Sequence, residues 1–389
     1  MSAWDALISG RSAINSVDVP AAEDSDSILH CSAAPAVPNA LDRLTAQFDD
    51  RQLAADPFSN FAAAATLEAL KDAGLCGDAQ LLADAAIIYG TASGGNASIE
   101  AGYRRMFMYR LANVHPMTIP RYMGSAAVSH LSMLFGIRGH CVGISSACAS
   151  SAHAIAEAMH FIRAGRGPIV VTGGSDASLT FGSLQAWKAL QAMAVDTCRP
   201  FSIDRKGMIL GEGAATLVLE EEGHALKRGA KIYGEVAGAA SMSDARHITQ
   251  PDAERAAAAV QAAYHDAVLN KDEPCLISAH GTGTRLNDRA ETTAFKLAYD
   301  NSLAKHLVIA TKSAHGHMLG ASGAMEFLLA ILALNKKTAP PILGYLGFDP
   351  ECDLPLALQP SATDCEVAVS TSFAFGGLNS VLIAKLPTA

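Results

Sequence analysis

Short apolar runs alternate with longer helical segments along most of this chain, and this alternation restricts its fold more than any other feature. Buried strands are predicted at residues 85–89, 168–172, 214–219, 276–278, 308–311, 367–373 and 380–385. Helices are predicted at residues 61–74, 125–136, 220–229, 253–269, 288–299 and 321–334. Such alternation is typical of a parallel or mixed sheet covered by helices on both faces.

The alternation occurs twice, without a clear linker between the two occurrences. We therefore expect an α/β protein with two similar halves, 1–225 and 226–389, that share one core. The first 55 residues are predicted to be loop-like, because Pro20, Pro35 and Pro38 interrupt regular structure there.

The composition indicates a globular protein and excludes several classes of partner. Of its 389 residues 50% are hydrophobic and 17% charged, which suits a large core. The net charge of −9 argues against nucleic-acid binding, because no broad basic surface is left for phosphates. Local basic clusters do occur, at Arg104, Arg105, Arg110 and Arg121, and at Arg205 with Lys206.

The sequence also predicts a soluble protein of the cytoplasm. No apolar run reaches the roughly 18 residues of a membrane span, and the N-terminus has no signal-peptide pattern. The eight cysteines form no CxxC pair, so we expect reduced thiols.

One cysteine lies where a strand should turn into a helix. Residues 142–144 form a short apolar run, small residues follow, and an alanine-rich helix is predicted to open at Cys148. A thiol there lies at the positive end of the helix dipole, beside unpaired N–H groups, which favours the thiolate. The alternative for an isolated cysteine is a buried side chain that fills a gap between strand and helix.

Three downstream segments place polar groups where predicted strands end. His280 ends one strand and is followed by the glycines and hydroxyls of residues 281–284. Lys312 ends a second strand and precedes His315, His317 and a helix that contains Glu326. The third segment, residues 370–379, has paired glycines whose backbone N–H groups can point into a pocket. The alternative interpretations are that the histidines are ordinary core residues and that Lys312 and Glu326 form a surface ion pair.

Together these features fit acyl transfer through a thioester, which needs an activated nucleophile, proton-transfer groups and oxyanion donors. A metal site fits less well. His315 and His317 are two residues apart and do not share a helix face, and no HExxH pattern occurs. We therefore predict that no metal is bound.

The segments resemble a known family, the β-ketoacyl-acyl carrier protein synthases, which are elongating condensing enzymes of the thiolase-fold superfamily. The resemblance extends over roughly residues 5 to 387. It is carried by an ordered series of motifs: Ser146-Ala147-Cys148-Ala149, Cys198-Arg199-Pro200-Phe201, Leu210-Gly211-Glu212-Gly213-Ala214, His280-Gly281-Thr282-Gly283-Thr284, Lys312-Ser313 with Gly316-His317, and Phe375-Gly376-Gly377 with Asn379.

The resemblance implies a thiolase-like five-layer αβαβα fold that acts as a dimer, either a homodimer or a heterodimer with a related subunit. Cys148 would take the acyl chain from an acyl carrier protein. His280 and His317 would then assist decarboxylation of a malonyl thioester and stabilise the enolate. The backbone N–H groups of Cys148 and Phe375 would form the oxyanion hole.

Further roles are implied by the same resemblance. Lys312 and Glu326 would hold the histidine network, with Asp288 and Glu291 in support. The substrates would be attached to the phosphopantetheine arm of the acyl carrier protein, and no bound cofactor is expected. The contacts of this arm would be Thr282, Thr284 and Phe375, while Ile99 falls near the region that sets acyl chain length.

The sequence departs from the family pattern in three places. The family opens with a buried strand ahead of a Trp-x-x-Leu motif, here Trp4 and Leu7, so the first core strand is expected to be missing. His315 stands where Thr is usual. Ala374 and Leu378 replace Gly and Thr in the last loop. In several details the chain is similar to specialised, nodulation-type synthases that build unusual unsaturated chains.

Two other functions are considered. One is a decarboxylase that uses the same fold without elongating a chain. The other is a non-catalytic partner like the chain-length factors, but such subunits usually lack the cysteine, so Cys148 with both histidines speaks against it. Initiating synthases use Cys-His-Asn and degradative thiolases need a second cysteine near the C-terminus, and neither pattern is present.

Overall fold

The computed structural model describes residues 2–21, 27–37 and 39–387, so Pro38 of the predicted N-terminal loop lies outside the described residues. The strands are β1 (Asn15–Pro20), β2 (Ile28–Ala33), β3 (Ala86–Gly90), β4 (Cys141–Ile144), β5 (Ile169–Asp176), β6 (Gly213–Glu220), β7 (Glu235–Ser243), β8 (Leu276–Ser278), β9 (Leu307–Ile309), β10 (Thr338–Ala339), β11 (Ser361–Ala362), β12 (Val367–Ala374) and β13 (Leu378–Lys385).

The helices are α1 (Ala3–Ile8), α2 (Asp42–Thr45), α3 (Pro57–Asp72), α4 (Ala79–Ala83), α5 (Asn96–Phe107), α6 (Thr118–Tyr122), α7 (Ala126–Phe135), α8 (Ser150–Arg163), α9 (Phe181–Ala189), α10 (Glu222–Lys227), α11 (Ala253–Ala267), α12 (Arg285–Tyr299), α13 (Lys312–His315) and α14 (Ser322–Asn335). Short 3-10 segments occur at Asp300–Lys305, Leu319–Ala321 and Pro350–Cys352. None of the described helices combines the length and the apolar character that crossing a membrane requires.

Two large sheets organise the molecule. The first has the order β4-β3-β5-β6, with β3, β4 and β5 parallel and β6 antiparallel to β5. The second has the order β7-β13-β12-β8-β9, with β8, β9 and β12 parallel and β13 antiparallel to β12. The order β4-β3-β5-β6 thus repeats as β9-β8-β12-β13, as the repeated sequence pattern predicts.

Helices form three layers around these sheets. The apolar α8 and α14 pack between the two sheets, because their small and aliphatic side chains are buried on all sides. Helices α3 and α7 cover the outer face of the first sheet, and α11 and α12 cover the outer face of the second. The result is the five-layer αβαβα arrangement that was predicted.

Several predicted boundaries differ from the observed ones. The strand predicted to end at 172 continues through Gly173 and Gly174 to Asp176, because it pairs with strands on both sides. At Gly173 (φ 143°) an added Cβ would lie 2.1 Å from the Ala215 oxygen, so this glycine permits close strand pairing and does not make a turn. The helix expected to open at Cys148 starts at Ser150, which leaves the cysteine in the preceding turn.

The prediction of a loop-like N-terminus was wrong in part. Helix α1 is capped by Ser2 and Asp5, and it buries Trp4 and Leu7 against the second half of the molecule. Strands β1 and β2 form an antiparallel pair in which Pro20 takes the last position, where its missing N–H costs little.

The edges of the two sheets differ. In the second sheet β7 pairs antiparallel with the outer edge of β13 along its whole length. Among the described residues no strand pairs with the corresponding outer edge of β6. Within the described residues the first sheet therefore has one strand fewer than the second, in keeping with the expectation of a missing core strand.

Candidate functional site

A cavity of about 350 Å³ lies where the two sets of strands meet. Its lining includes Cys148 from the first half of the chain and His280, His317 and Phe375 from the second. In this order, the four side chains come after the ends of β4, β8, β9 and β12. Groups that contact ligands usually lie at the carboxyl ends of parallel strands.

Cys148 lies in a tight turn between β4 and α8. Ala147 has φ 52°, and the Ser150 hydroxyl both donates to the Ala147 oxygen (2.7 Å) and accepts the Ser146 N–H (2.9 Å). The thiol is only 6% exposed, and burial raises its pKa to about 11, although the Lys312 charge and the Phe375 N–H act in the opposite direction. Burial therefore outweighs the helix N-terminus, and the resting group is a thiol and not the expected thiolate.

His317 is the polar partner of that thiol. Its Nε2 lies 3.1 Å from Cys148 Sγ, and its Nδ1 lies 3.0 Å from the Ser322 hydroxyl. Burial lowers the pKa of His317 well below its ordinary value, so the ring is neutral near pH 7. If the S–H donates to Nε2, the ring proton is on Nδ1 and is donated to Ser322, whose hydroxyl can either donate or accept.

His280 is held in one tautomer. The Lys312 ammonium donates to His280 Nδ1 (3.2 Å) and to the His280 carbonyl (2.5 Å). Because Nδ1 accepts, the ring proton is on Nε2. Burial lowers the pKa of His280 well below its ordinary value, so this ring is neutral too. The Glu291 carboxylate accepts the N–H groups of His280 (2.7 Å) and Gly281 (2.8 Å) and so fixes the backbone.

Lys312 and Glu326 form an ion pair that is completely buried. Burial raises the pKa of Glu326 to about 7, against the opposing charge of Lys312. The ammonium uses its three donors on the Glu326 carboxylate and on two atoms of His280. The pair is therefore part of the buried site, and the alternative interpretation as a surface ion pair is wrong.

The turn from β12 to β13 closes the cavity beside the thiol. Ala374 packs against Cys148, and the N–H of Phe375 is close enough to lower the pKa of the thiol. Gly376 and Gly377 have φ 82° and 69°, values that only glycine adopts readily. The Gly376 N–H donates to the Ile248 oxygen (2.7 Å). The Phe375 ring, 36% exposed, stacks on the Trp187 indole with centroids 6.0 Å apart.

Hydroxyl and cationic groups surround the outer part of the cavity. The Thr282 and Thr284 hydroxyls lie 2.9 Å apart and both line it, as do Lys206, Arg285 and His247. Neither Lys206 nor Arg285 forms an ion pair within the described ranges. His247 Nδ1 accepts the N–H groups of Thr249 (3.1 Å) and Gln250 (3.2 Å), so its ring proton is on Nε2.

Half of the basic residues considered from the sequence are committed to structural contacts. Arg205 is buried and pairs with Asp349, so only its neighbour Lys206 is available to a partner. Arg104 pairs with Glu100, and Arg121 donates to the Ala54 oxygen (2.8 Å).

Ile99 does not join the other predicted residues. It is half-buried on α5 and is not among the side chains that line the cavity. Its proposed role in chain length stays a prediction. His315, one of the departures from the family pattern, forms a hydrogen bond between its Nε2 and the Thr311 hydroxyl (2.9 Å). It does not line the cavity.

The site also has the residue types of a metal centre. Ligand atoms of Cys148, His280 and His317 all lie within 4.8 Å of one another. However, the Lys312 ammonium donates to His280 and would repel a cation in this place. We retain the prediction that no metal is bound.

Sequence reasoning missed several residues that build the site. Asp176 is fully buried and accepts the N–H groups of Ala92 (2.9 Å), Ser93 (3.0 Å) and Gly320 (2.7 Å), which ties the two halves together close to His317. Burial raises the pKa of Asp176 to about 6. Its position at the end of a buried strand was a usable signal. Trp187 gave no signal, because its partner Phe375 is remote in sequence, and the local contacts of His247 do not reveal that it lines the cavity.

Comparison with known proteins gives a consistent result. Residues 1–225 match the family model described as "Beta-ketoacyl synthase, N-terminal domain", and residues 233–346 match "Beta-ketoacyl synthase, C-terminal domain". Nodulation protein E of Rhizobium leguminosarum bv. trifolii is 42% identical over 328 residues, 84% of this chain and 82% of that protein. The 3-oxoacyl-[acyl-carrier-protein] synthase 2 of Synechocystis is 35% identical over 350 residues, 87% of this chain and 84% of that protein.

Solved structures agree with this. The ishigamide ketosynthase/chain length factor superposes with a TM-score of 0.91 at 28% identity, covering 99% of this chain and 94% of the other. A type II polyketide ketosynthase, in complex with its acyl-carrier protein and bound to the hexaketide, gives a TM-score of 0.86 at 26% identity with the same coverage.

Proposed function

The chain belongs to the β-ketoacyl synthase family, and from that premise we propose that it joins an acyl chain on Cys148 to a malonyl unit by decarboxylative Claisen condensation. One observation carries the proposal. A thiol, two neutral imidazoles and a backbone N–H line one cavity, and the thiol sulfur and one nitrogen of each ring lie within 4.8 Å of one another.

The first step loads the acyl chain. The Cys148 proton passes to His317 Nε2, and the sulfur attacks the carbonyl carbon of the acyl-carrier thioester. Backbone N–H groups of Cys148 and Phe375 stabilise the oxyanion. The carrier thiolate then leaves and takes the proton back from His317. A buried thiol of raised pKa suits this route, because the proton leaves only as the bond forms.

The second step generates the carbanion. The malonyl thioester oxygen accepts hydrogen bonds from Nε2–H of His280 and of His317, while the terminal C–C bond breaks and CO₂ leaves. His317 needs its proton on Nε2 here, the reverse of the loading step. The Ser322 hydroxyl permits this change, because it can donate to Nδ1 as well as accept from it.

In the last step the enolate carbon attacks the acyl carbonyl on Cys148. A C–C bond forms, the C–S bond breaks, and the sulfur leaves as a thiolate that takes up a proton from water, which balances the carboxylate charge lost with CO₂. The products are β-ketoacyl-carrier, CO₂ and the carrier released in the first step. Lys312 acts throughout by keeping the His280 proton on Nε2, with Glu326 holding Lys312 in place.

The carrier's phosphopantetheine arm would enter past Thr282 and Thr284, with its phosphodiester near the mouth of the cavity. Lys206, Arg285 and the Nε2–H of His247 are donors suited to that anion. A structural neighbour described as a complex of a ketosynthase with its acyl-carrier protein supports this partner. Unpaired cysteines throughout the chain suit a cytoplasmic location.

We also propose that the chain forms a dimer and consists of two halves, 1–225 and 226–389. The edge strand β4 is exposed, and apolar side chains crowd the adjacent surface of α5 and α6: Tyr103, Met106, Phe107, Met108, Tyr109, Leu111, Met117, Ile119 and Tyr122. An apolar patch beside an unpaired strand suits a self-complementary interface with a second copy. A related subunit is the alternative partner, as in the neighbour described as ketosynthase/chain length factor.

The test is acyl loading followed by intact-protein mass spectrometry. An acyl-carrier should add one acyl mass to the protein. Cys148→Ala should abolish the adduct, whereas Cys76→Ala, a change at an exposed cysteine, should keep it. His317→Ala should still load, more slowly, but should not release CO₂ from malonyl-carrier. An adduct in Cys148→Ala would remove this cysteine from the mechanism, and CO₂ release without elongation by the unmodified protein would favour the decarboxylase.

A further inference from the structure

Trp187 is one of two tryptophans in the chain, and its indole is half-exposed in the wall of the cavity. Its side chain packs against the apolar cluster that contains Leu184, Met208 and Leu210. Helix α9 is capped by Thr180, whose side chain accepts the Ser183 N–H. The indole is therefore a rigid surface facing the cavity.

The turn that it faces is closed by a hydrogen bond from the Gly377 N–H to the Ala374 oxygen (3.1 Å), and Phe375 lies inside this turn. Gly376 and Gly377 give the backbone wide conformational freedom. On one side the turn is held by residues 244–248, because Gly376 donates to Ile248 and the Asp244 N–H donates to the Gly377 oxygen (2.9 Å). On the other side its contact is the stack of Phe375 on Trp187, with an interplanar angle of 22°.

The position of this turn matters because of one backbone group. Ala374 packs against Cys148, and the N–H of the next residue, Phe375, lies close enough to lower the pKa of the thiol. It is placed there for the developing charge of sulfur and of the thioester oxygen. A donor of this kind contributes only when it is fixed before the reaction. A displacement of the turn by about 1 Å would take the N–H out of hydrogen-bonding geometry.

We propose that Trp187 is a positioning residue: its stack with Phe375 holds the β12–β13 turn so that the Phe375 N–H stays directed at Cys148. The inference rests on the proposed function of that cysteine. Trp187 itself touches none of the reacting atoms.

The test is a double-mutant cycle on Trp187→Ala and Phe375→Ala, with Gln185→Ala, an exposed change on the same helix, as control. Each single variant should lower kcat of condensation by about tenfold to a hundredfold with a smaller change in KM, because a preorganised N–H is lost. The double variant should be no slower than either single one, since both remove the same stack. Trp187→Phe should restore most of kcat, and Gln185→Ala should match the unmodified protein.

A second readout does not depend on condensation. The rate of iodoacetamide alkylation of Cys148 should change by the same factor in the two single variants and in the double variant. Additive effects, or a rise in KM with unchanged kcat, would overturn the inference and leave Trp187 as a wall residue. Failure of the proposed function is distinct, because the unmodified protein would then neither load an acyl chain nor condense.

Discussion

At the scale of single residues, burial sets the chemistry of the site. The same desolvation raises the pKa of the Cys148 thiol and lowers the pKa of both histidines, so all three groups are neutral at rest. A neutral imidazole can accept the proton from sulfur and can also donate a hydrogen bond to a thioester oxygen, whereas an imidazolium ion has no lone pair with which to accept that proton. Lys312 supplies the cation that contacts His280 directly.

A pH profile of decarboxylation tests this arrangement. An ordinary histidine takes up a proton as the pH falls through about 6.5, and its activity as a neutral group is then lost. Because the pKa values of His280 and His317 lie well below that value, protonation of the rings should cause no loss of CO₂ release from malonyl-carrier between about pH 8 and about pH 6. Glu326, whose pKa is about 7, titrates in the same range, so the profile is measured in Glu326→Gln as well. A half-loss near pH 6.5 that persists in Glu326→Gln, with the circular-dichroism spectrum unchanged, would contradict neutral rings.

At the scale of elements, the two sheets repeat one strand order but differ at one edge. Strand β13 has partners on both sides, β12 and β7, whereas β6 has only β5 among the described strands. An unpaired edge leaves N–H and C=O groups without ladder partners, and natural proteins usually cover or shorten such edges. Helix α3 packs against β6 but cannot supply ladder hydrogen bonds.

Hydrogen exchange should reveal this difference. Amides of β6 that point away from β5 should exchange faster than those of β13, because exchange of an unpaired amide requires no opening of the sheet. The measurement is mass spectrometry of peptic peptides that cover residues 213–220 and 378–385. Equal protection of the two strands would mean that something covers the β6 edge in solution.

At the scale of the whole molecule, the site exists only because two halves meet. Cys148 follows a strand of the first sheet, whereas His280, His317 and Phe375 follow strands of the second. The Asp176 carboxylate accepts backbone N–H groups from both halves of the chain. The exposed edge of β4 and the apolar surface of α5 and α6 lie in the first half, where a second copy would extend the assembly.

The dimer proposal predicts a specific effect of charge on that surface. Phe107 is 73% exposed there, and Phe107→Asp should shift the protein toward monomer, since a buried unpaired carboxylate opposes association. Leu226→Asp, at a comparably exposed position (63%) on α10, should leave the oligomeric state unchanged. Sedimentation velocity measures both variants, and a dimer that survives Phe107→Asp would argue against this interface.

The sequence by itself determined which elements form and to which family the chain belongs. Periodicity and strand-ending motifs are local, so they predicted the α/β class, the repeat and the polar segments around Cys148, His280, Lys312 and Phe375, and the family and the five-layer fold were confirmed. The N-terminal hairpin was missed because three prolines suggested a loop, although one of them ends an edge strand.

Only the tertiary structure decided the state of each group and its partners. Burial outweighed the helix N-terminus at Cys148, made Lys312 and Glu326 an interior pair, and removed Arg205 from the surface. Tertiary packing also brought Trp187 against Phe375, although the two residues are 188 positions apart in the sequence (375 minus 187). The physical reason is that desolvation and contact depend on what surrounds an atom in space, and that surrounding is set by packing between segments remote in the chain.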